Sequence, residues 1–173
     1  FKLIPQVKSH KPCLPAGRST VKSNKGNIIF LGRVTKAKGI TMLIEAFKEV
    51  KKTIPYVTLT VAGPQGDAID TIHIPGVHYS GPIKNVDVPK FLNSGTVLVM
   101  PSQTTQAWEE QVGMVGLQSL ACGTPVITTD SGAIPEFFVD GAGTVIICEK
   151  DTVALVTSLK KFLNDTKYRS EQS

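Results

Sequence analysis

The sequence is poor in several features that mark particular classes of protein. Its 173 residues include one Trp and only 6% aromatic residues, and charged residues make up 19%, below the usual ~25%. Little charge beside 41% hydrophobic residues excludes an intrinsically disordered chain, which combines few hydrophobic residues with much charge. No apolar run approaches the length of a membrane span, so the sequence predicts no transmembrane helix.

Cysteine is scarce and clustered basic charge is absent. Cys13, Cys122 and Cys148 form no Cys-x-x-Cys pair, which excludes a disulfide scaffold and a zinc ribbon and agrees with a reducing compartment. The formal net charge is +5, but the 19 Lys and Arg residues are dispersed and do not interleave with aromatic residues. Nucleic-acid binding needs a basic patch with stacking platforms, so we expect a mildly basic surface and no nucleic-acid partner.

The chain divides into two segments of different composition. Residues 1–26 hold Pro, Gly, Ser and Lys without an apolar period, which predicts a linker or an irregular lead-in. Residues 27–173 have the length of a single domain. The first residue is Phe1 and no signal-peptide pattern follows it, so we expect a fragment or mature piece of a longer protein.

From Asn27 onward, short β-rich runs alternate with helical patterns. The runs predict strands near residues 27–33, 56–62, 77–80, 96–100, 125–128 and 144–147. Helices are expected near residues 43–53, 88–92 (after Asp87 as a cap), 112–122, 134–139 and 151–163. The alternation predicts an α/β fold, a Rossmann-like doubly wound parallel sheet of about six strands with helices on both faces. Ligands of such sheets bind beyond the carboxyl ends of the strands.

The turn after the first strand carries several cations. Gly32 to Gly39 contains Arg33, Lys36 and Lys38, but its spacing matches neither the dinucleotide-binding fingerprint nor the P-loop. Arg33 ends a strand and Lys38 precedes a helix, so both can face one point, where two cations would suit a diphosphate. The alternative from these residues alone is an ordinary solvated basic loop.

Two later turns are also candidates. Residues 101–116 include Trp108, Glu109, Glu110 and a helix start near Gly113, where exposed amides favour an anion. The plainer interpretation is a Trp that packs the loop down and carboxylates that complement a helix N terminus. In the third turn, Asp130 or Ser131 is expected to cap a short helix, with a ligand contact from Ser131 or Gly132 as the lesser alternative.

Five motifs occur in register along the chain. The stretch from Glu110 to Gln118 is followed by a small-residue helix and Gly-Thr-Pro-Val. This pattern is similar to the hallmark of the retaining family-four (group 1) glycosyltransferases, two Glu residues separated by seven. The accompanying motifs are Gly32-Arg33 with Lys38-Gly39, Gly81-Pro82, Pro101-Ser102 and the Gly-Ala-Ile-Pro-Glu run ending at Glu136. The resemblance covers roughly residues 27–165.

The resemblance implies the GT-B architecture of two facing Rossmann-like domains. This chain resembles the C-terminal, donor-binding domain, and the acceptor-binding N-terminal domain would be its partner. The implied reaction moves a hexose from a nucleoside-diphosphate sugar to a glycan or lipid-linked acceptor with retention, and the fragment alone is expected to be inactive. The family's active-site histidine belongs to the missing half, so His10, His73 and His78 are expected to be surface or packing residues.

The resemblance also assigns roles to residues. It implies that Arg33 and Lys38 bind the donor diphosphate and that Glu110 touches the transferred sugar; these are the catalytic candidates. The donor-binding candidates are Gly32, the base-contacting stretch Gly81, Pro82 and Ile83, the helix-start amides of Gly113, Met114 and Val115, and Gln118.

Gln118 departs from the family pattern, because a second Glu there normally holds the ribose hydroxyls. A neutral amide loses charge assistance, at a cost on the order of 1 kcal/mol, so we expect weakened nucleotide binding. A catalytically degenerate nucleotide-binding module stays open as an alternative. A GT-B nucleotide-sugar epimerase is a further one, although the Glu110 motif favours a transferase.

No metal or other cofactor is expected. The sequence has no closely spaced Asp pair to hold Mg²⁺ or Mn²⁺, and Asp67 and Asp70 have the wrong spacing. The cations and the helix N terminus would then stabilise the leaving diphosphate. We expect a cytoplasmic protein, peripheral at the inner membrane face if its acceptor is a lipid, although Lys160, Lys161, Lys167 and Arg169 are too scattered to predict strong anchoring.

Overall fold

The structure is a computed structural model that describes residues 26–172. The expected lead-in, residues 1–26, lies outside this range except for Gly26, as do His10 and Cys13. Six strands form one sheet: β1 Asn27–Leu31, β2 Thr58–Ala62, β3 Val77–Tyr79, β4 Val97–Met100, β5 Val126–Thr129 and β6 Thr144–Ile147. The helices are α1 Ile40–Thr53, α2 Val88–Leu92, α3 Met114–Ala121, α4 Ile134–Phe137, α5 Thr152–Asn164 and α6 Thr166–Glu171.

All strand pairs are parallel and the sheet order is β3-β2-β1-β4-β5-β6. This is the doubly wound order, in which the chain starts in the middle and reverses direction between β1 and β4. The predicted fold class is therefore confirmed. The reversal point leaves a crevice between the turns that follow β1 and β4, which is where ligands of such sheets bind.

The core has two layers, one on each side of the sheet. In β1, Ile28 and Phe30 belong to one apolar cluster and Ile29 to the other, because successive strand side chains point to opposite faces. Helices α1 and α5 cover the first face, where Phe47 and Phe162 are fully buried. Helices α2, α3 and α4 contribute to the second cluster. Burying one such large side chain stabilises the fold by roughly 1.5–3 kcal/mol.

Two glycines determine where the site helices begin. Gly39 precedes α1 with φ +73°, and a Cβ there would lie 1.7 Å from the carbonyl oxygen of Pro101. Gly113 precedes α3 with φ +66°. This left-handed conformation interrupts the helical path, so α3 begins at Met114 and not at Val112 as the apolar pattern predicted.

The capping prediction was right in position but not in contact at α2, and wrong at α4. Asp87 occupies the N-cap position of α2, but its side chain makes no capping hydrogen bond; Asp87 already has helical φ and ψ in the 3-10 turn Asn85–Asp87. Neither Asp130 nor Ser131 caps α4, whose preceding residue is Ala133. Both of their side chains bind other loops, as described below. Helix α6 was not predicted; it begins after Asp165, whose carboxylate accepts from the Tyr168 N–H.

Within residues 26–172, no helix combines the length and the apolar composition that crossing a bilayer requires.

Candidate functional site

Lys38 and Glu110 meet at the carboxyl edge of the sheet although 72 residues separate them in the chain. Lys38 Nζ lies 2.6 Å from Glu110 Oε2. The exposed fractions of the two side chains are 32% and 13%, so water screens this ion pair only in part. The pair spans the crevice between the turn after β1 and the loop after β4 (residues 101–113, here called the β4–α3 loop).

Glu110 is held by its neighbours on both the side chain and the backbone. Ser102 Oγ donates to Glu110 Oε2 at 2.9 Å, so one carboxylate oxygen accepts from both Ser102 and Lys38. The Ala133 N–H donates to the Glu110 carbonyl at 2.9 Å. Gly132 permits this approach, because a Cβ there would lie 2.2 Å from the Glu110 carbonyl oxygen. The turn after β5 thus fixes the backbone of Glu110.

Lys38 is oriented by its own turn and by an aromatic ring. Its N–H donates to Thr35 Oγ1 at 3.2 Å, immediately before α1 begins. Its ammonium group lies 4.6 Å from the ring centroid of Trp108, within the range of a cation–π contact. Trp108 is half-buried. It can therefore pack the loop down, as the plainer interpretation has it, and also lie beside the charged pair.

A pocket of about 310 Å³ adjoins this pair. Its lining residues are Phe30, Leu31, Lys38, Met100, Ser102, Glu110, Gln111, Val112, Gly113, Met114 and Val115. No side chain caps the N terminus of α3, so its first amides are available to an anion in the pocket. One cation, one carboxylate and a helix N terminus therefore surround a single space.

The structure brings five of the predicted site residues to this pocket: Lys38, Glu110, Gly113, Met114 and Val115. Arg33 follows β1 and is exposed outside the pocket lining. Gln118 is also exposed and outside the lining, one helical turn beyond Met114 on the same face of α3.

Gly32, Gly81, Pro82 and Ile83 lie on the other side of the crevice, beyond the ends of β1 and β3. Gly32 N–H donates to the Ala62 carbonyl and Gly63 N–H to the Gly81 carbonyl, both at 2.9 Å. The space beside Gly81 is open, since a Cβ there would meet no atom within 4 Å. This side presents mainly backbone groups, here called the glycine ledge (Gly32, Gly63 and Gly81).

Sequence reasoning missed a second polar cluster at the ends of β4, β5 and β6. Glu149 Oε2 accepts from the Thr104 N–H at 2.9 Å, and Glu149 Oε1 accepts from Thr104 Oγ1. Thr104 Oγ1 also lies 3.1 Å from Ser131 Oγ. Burial raises the pKa of Glu149, but the hydrogen bonds from Thr104, the Ser131 hydroxyl and the charge of Lys150 outweigh it, so the pKa is lowered overall.

Ser102 was missed as a site residue as well. Pro101-Ser102 was noticed as a motif, but nothing in its sequence indicated a bond to Glu110. By contrast, Thr104 and Glu149 are 45 residues apart and belong to no motif, so no sequence signal could have paired them.

The remaining candidates from the sequence are a metal site, two histidines and Asp67. Within residues 26–172, no group of three or more His, Cys, Asp or Glu side chains is arranged to hold a metal ion. His73 and His78 are exposed. Asp67 accepts from the Lys36 N–H at 2.9 Å and so stabilises the turn after β1.

A protein-family model described as Glycosyl transferases group 1 matches residues 17–173. The chain is 25% identical over 151 residues to a glycogen synthase of Mycobacterium tuberculosis, covering 83% of this chain and 35% of the relative. It is 28% identical over 148 residues to a GDP-mannose-dependent alpha-(1-6)-phosphatidylinositol monomannoside mannosyltransferase of Mycolicibacterium smegmatis, covering 80% and 38%. The chain therefore spans little more than a third of the length of these curated relatives.

Solved structures share the fold. The C-terminal domain of a glycosyl transferase group 1 family protein (LpcC) from Francisella tularensis has a TM-score of 0.72 at 24% identity, covering 86% of this chain and 80% of that one. Anabaena Alr3699/HepE, solved in complex with UDP-glucose, has a TM-score of 0.74 at 19% identity, covering 87% and 42%. At these identities the likeness is one of fold.

Proposed function

This chain belongs to the group 1 glycosyltransferases, a family of enzymes, and from that premise we propose that its pocket binds the diphosphate and sugar of a nucleoside-diphosphate sugar. One observation carries the proposal: Lys38 and Glu110 meet at 2.6 Å beside the uncapped N terminus of α3. A diphosphate would match the cation and the helix amides. A sugar would offer hydroxyl groups to the carboxylate.

The charges suggest how donor cleavage would proceed. As the bond between the anomeric carbon and the diphosphate breaks, negative charge grows on the leaving oxygen. Lys38 and the first amides of α3 would stabilise that charge, and Arg33, which follows β1 and is exposed, would reach the outer oxygens. Glu110 would accept from a sugar hydroxyl and orient the hexose. We propose transfer with retention at the anomeric carbon and without a metal ion.

The ligand-free pair implies an exchange of partners on binding. Lys38 is neutralised by Glu110 in this structure, and the diphosphate would take over the ammonium group while the sugar takes over the carboxylate. We propose that the glycine ledge holds the base and ribose through backbone groups, because the space beside Gly81 is empty and a ligand could approach the backbone there. The bound UDP-glucose of the Anabaena structure supports a donor of this class.

The whole reaction also needs an acceptor site. Because the chain spans little more than a third of its curated relatives, we propose that a second domain supplies the acceptor site and that the acceptor is a glycan or a lipid-linked molecule. This donor-binding, C-terminal role agrees with the coverage of the Francisella domain. Residues 26–172 alone would then bind the donor and transfer nothing.

Calorimetric titration with UDP-glucose, GDP-mannose and ADP-glucose, each with and without EDTA, tests the proposal. We expect one donor to bind with a Kd between about 1 μM and 1 mM and EDTA to leave that Kd unchanged. Lys38→Ala should weaken binding about tenfold or more, and Arg33→Ala somewhat less. The matched control is Lys52→Ala, because Lys52 pairs with Glu49 on the exposed surface of α1.

Two results would contradict the proposal. One is a folded sample that binds none of the three donors, which would favour a module whose Gln118 marks a lost site. The other is a Lys38→Ala variant that binds like the Lys52→Ala control. Loss of binding in EDTA alone would reject only the metal-free mechanism.

A further inference from the structure

The β4–α3 loop is fixed at its two ends and projects between them. Near its start, Gln103 N–H donates to the Ala37 carbonyl at 2.8 Å. Near its end, Glu110 is bound by Lys38, Ser102 and the Ala133 N–H. Between these points, residues 104–107 are exposed. The stretch that leads to Trp108 therefore depends on few attachments to the rest of the domain.

The tip of the loop is a small turn closed by its own residues. Thr105 N–H donates to the Trp108 carbonyl at 2.8 Å, and Thr105 Oγ1 donates to the same oxygen at 3.2 Å. Ala107 N–H donates to Thr105 Oγ1 at 3.3 Å. Because these bonds close residues 105–108 into a turn, we expect them to move as one unit. The turn is attached through Thr104 on one side and through Glu109 to the fixed Glu110 on the other, so Thr104 is one of the two points that set the position of Trp108.

Thr104 is bound by Glu149 through both of its donor groups. Glu149 is in turn fixed, since its N–H donates to Asp130 Oδ1 at 2.8 Å and the Asp130 N–H donates to the Ile147 carbonyl at 3.0 Å. Asp130 follows β5 and Ile147 ends β6, and these two strands pair with each other along their whole length. Glu149 thus links the loop tip to the rigid frame.

We propose that Glu149 is a positioning residue: by binding Thr104, it holds the Thr105–Trp108 turn so that the Trp108 ring stays against Lys38, beside Glu110, in the geometry that receives the sugar of the donor. Glu149 itself is not among the residues that line the pocket. The part of this proposal that concerns the sugar of the donor rests on the proposed function. Its structural half, the control of Trp108 by Glu149, can be tested without any donor.

Trp108 supplies the measurement, because it is the one Trp in the sequence. Its intrinsic fluorescence and its quenching by acrylamide report on the loop tip alone. Glu149→Ala removes both acceptors of Thr104, so we expect the emission maximum to shift to the red and the quenching constant to rise about twofold as the tip opens locally. Glu149→Gln keeps one acceptor and should give an intermediate value.

Controls separate loop positioning from general loosening. Glu49→Ala removes a carboxylate from an exposed pair on α1 and should leave Trp108 unchanged. Far-UV circular dichroism should give Tm values for the Glu149 variants within about 3 °C of that control, since one partly exposed contact is lost. Thr104→Ser keeps both donor groups and should behave like the wild type. Thr104→Ala loses the hydroxyl donor and should raise the quenching constant, which tests the same link if a Glu149 variant fails to fold.

Unchanged quenching in Glu149→Ala would overturn the proposal. Increased quenching would also overturn it if the Tm measured by circular dichroism fell clearly below that of the Glu49→Ala control. The whole domain would then have loosened, and not the loop alone. A red shift with a retained Tm, graded from Ala through Gln to wild type, supports it.

Donor binding separates the two proposals. Glu149→Ala should weaken UDP-glucose about threefold to tenfold, or GDP-mannose if that is the donor bound, and leave the matching nucleoside diphosphate unchanged. A chain that binds no donor but whose Trp108 responds to Glu149→Ala would reject the proposed function and keep the link between Glu149 and Trp108. Equal weakening of the sugar nucleotide and the diphosphate would overturn positioning toward the sugar.

Discussion

The loops on the two sides of the crevice are held in place by different groups. On the β1–β3 side, the glycine ledge joins strand ends through backbone hydrogen bonds, with Gly32 bonded to Ala62 and Gly63 to Gly81. On the β4–β6 side, side chains do this work: Lys38 reaches across to Glu110, and Glu149 binds Thr104. The first side is joined mainly through backbone groups, although the Tyr79 hydroxyl also donates to the Gly63 carbonyl at 2.8 Å, and the second is joined mainly through side chains.

If the proposed function holds, this difference would let the two sides of one crevice serve two kinds of ligand group. A planar base or a ribose can lie against a backbone surface only where no Cβ intervenes. A diphosphate and a sugar need charge and directed hydrogen bonds, which side chains provide. It also follows that the ledge should respond to added volume and the other side to altered charge.

The largest expected effect is the loss of stability on adding a methyl group to the ledge. Gly63 has φ +133°, and a Cβ there would lie 2.0 Å from the Gly32 carbonyl oxygen. We expect Gly63→Ala to lower the free energy of unfolding by about 3 kcal/mol or more. Gly81→Ala is the matched control, because its φ is also positive but no atom lies within 4 Å; it should cost about 1 kcal/mol. Equal costs in urea unfolding would contradict the backbone account.

The next effect concerns charge on the opposite side. Glu110→Gln should weaken UDP-glucose, or whichever sugar nucleotide binds, about tenfold, because a charge-assisted hydrogen bond to the sugar is lost. The nucleoside diphosphate should bind at least as tightly as before, since Lys38 no longer has a carboxylate partner. Calorimetry on both ligands checks this, with Glu45→Gln on the exposed face of α1 as control. Parallel weakening of both ligands would show that Glu110 does not distinguish sugar from phosphate.

A smaller effect is expected at the position where the family pattern is broken. Gln118→Glu restores the carboxylate that the resemblance assigns to the ribose, and should tighten nucleoside-diphosphate binding by about fivefold, or roughly 1 kcal/mol. The comparison with the 2′-deoxy nucleotide is the sharper measurement, because the gain should disappear there. Unchanged affinity with the ribonucleotide would indicate a pocket in which Gln118 has no ribose contact.

The smallest effect is the acid sensitivity of the Glu149 link. The pKa of Glu149 is lowered from its ordinary value near 4.5, so its contribution to stability is complete above that value and is lost as pH falls through the lower folded pKa. For this partly exposed group, we expect a few tenths of a kcal/mol.

Urea midpoints of wild type and Glu149→Gln provide the measurement. Their difference should be constant at neutral pH and shrink once the pH falls below the ordinary value near 4.5 and through the lower folded pKa. A difference that grows in acid would have the wrong sign for a lowered pKa.

Much of the architecture was predictable because its signals are local. The runs at residues 58–62 and 97–100 are apolar and β-rich, which indicates strands buried in a parallel sheet. Gly113 was expected at a helix start, and the structure confirms it in a left-handed conformation. The family resemblance, carried by Glu110 and the Gly-Thr-Pro-Val run, is confirmed by the family model. The roles that the resemblance assigns to the site residues, among them Arg33, Lys38, Glu110 and Gln118, stay predictions.

Capping was less predictable, because it depends on competing partners. Asp130 has the right residue type for an N-cap, but its carboxylate accepts from the Glu149 N–H. Ser131 is likewise a good capping residue, but its hydroxyl lies against Thr104. A propensity compares a residue only with its sequence neighbours. Once the sheet brings the ends of β4, β5 and β6 together, contacts over long sequence distances take over.

The sequence by itself determined the alternation of strands and helices, the family, and which turns carry charge, since these follow from residue type and short-range spacing. Only the tertiary structure decided that Glu110 pairs with Lys38, that the Ser102 hydroxyl donates to the same Glu110 oxygen, and that Glu149 binds Thr104. Such pairings depend on strand order, which places distant segments side by side at one edge of the sheet. No local pattern records that order, because the same hydrophobic runs could form parallel sheets with several different strand orders.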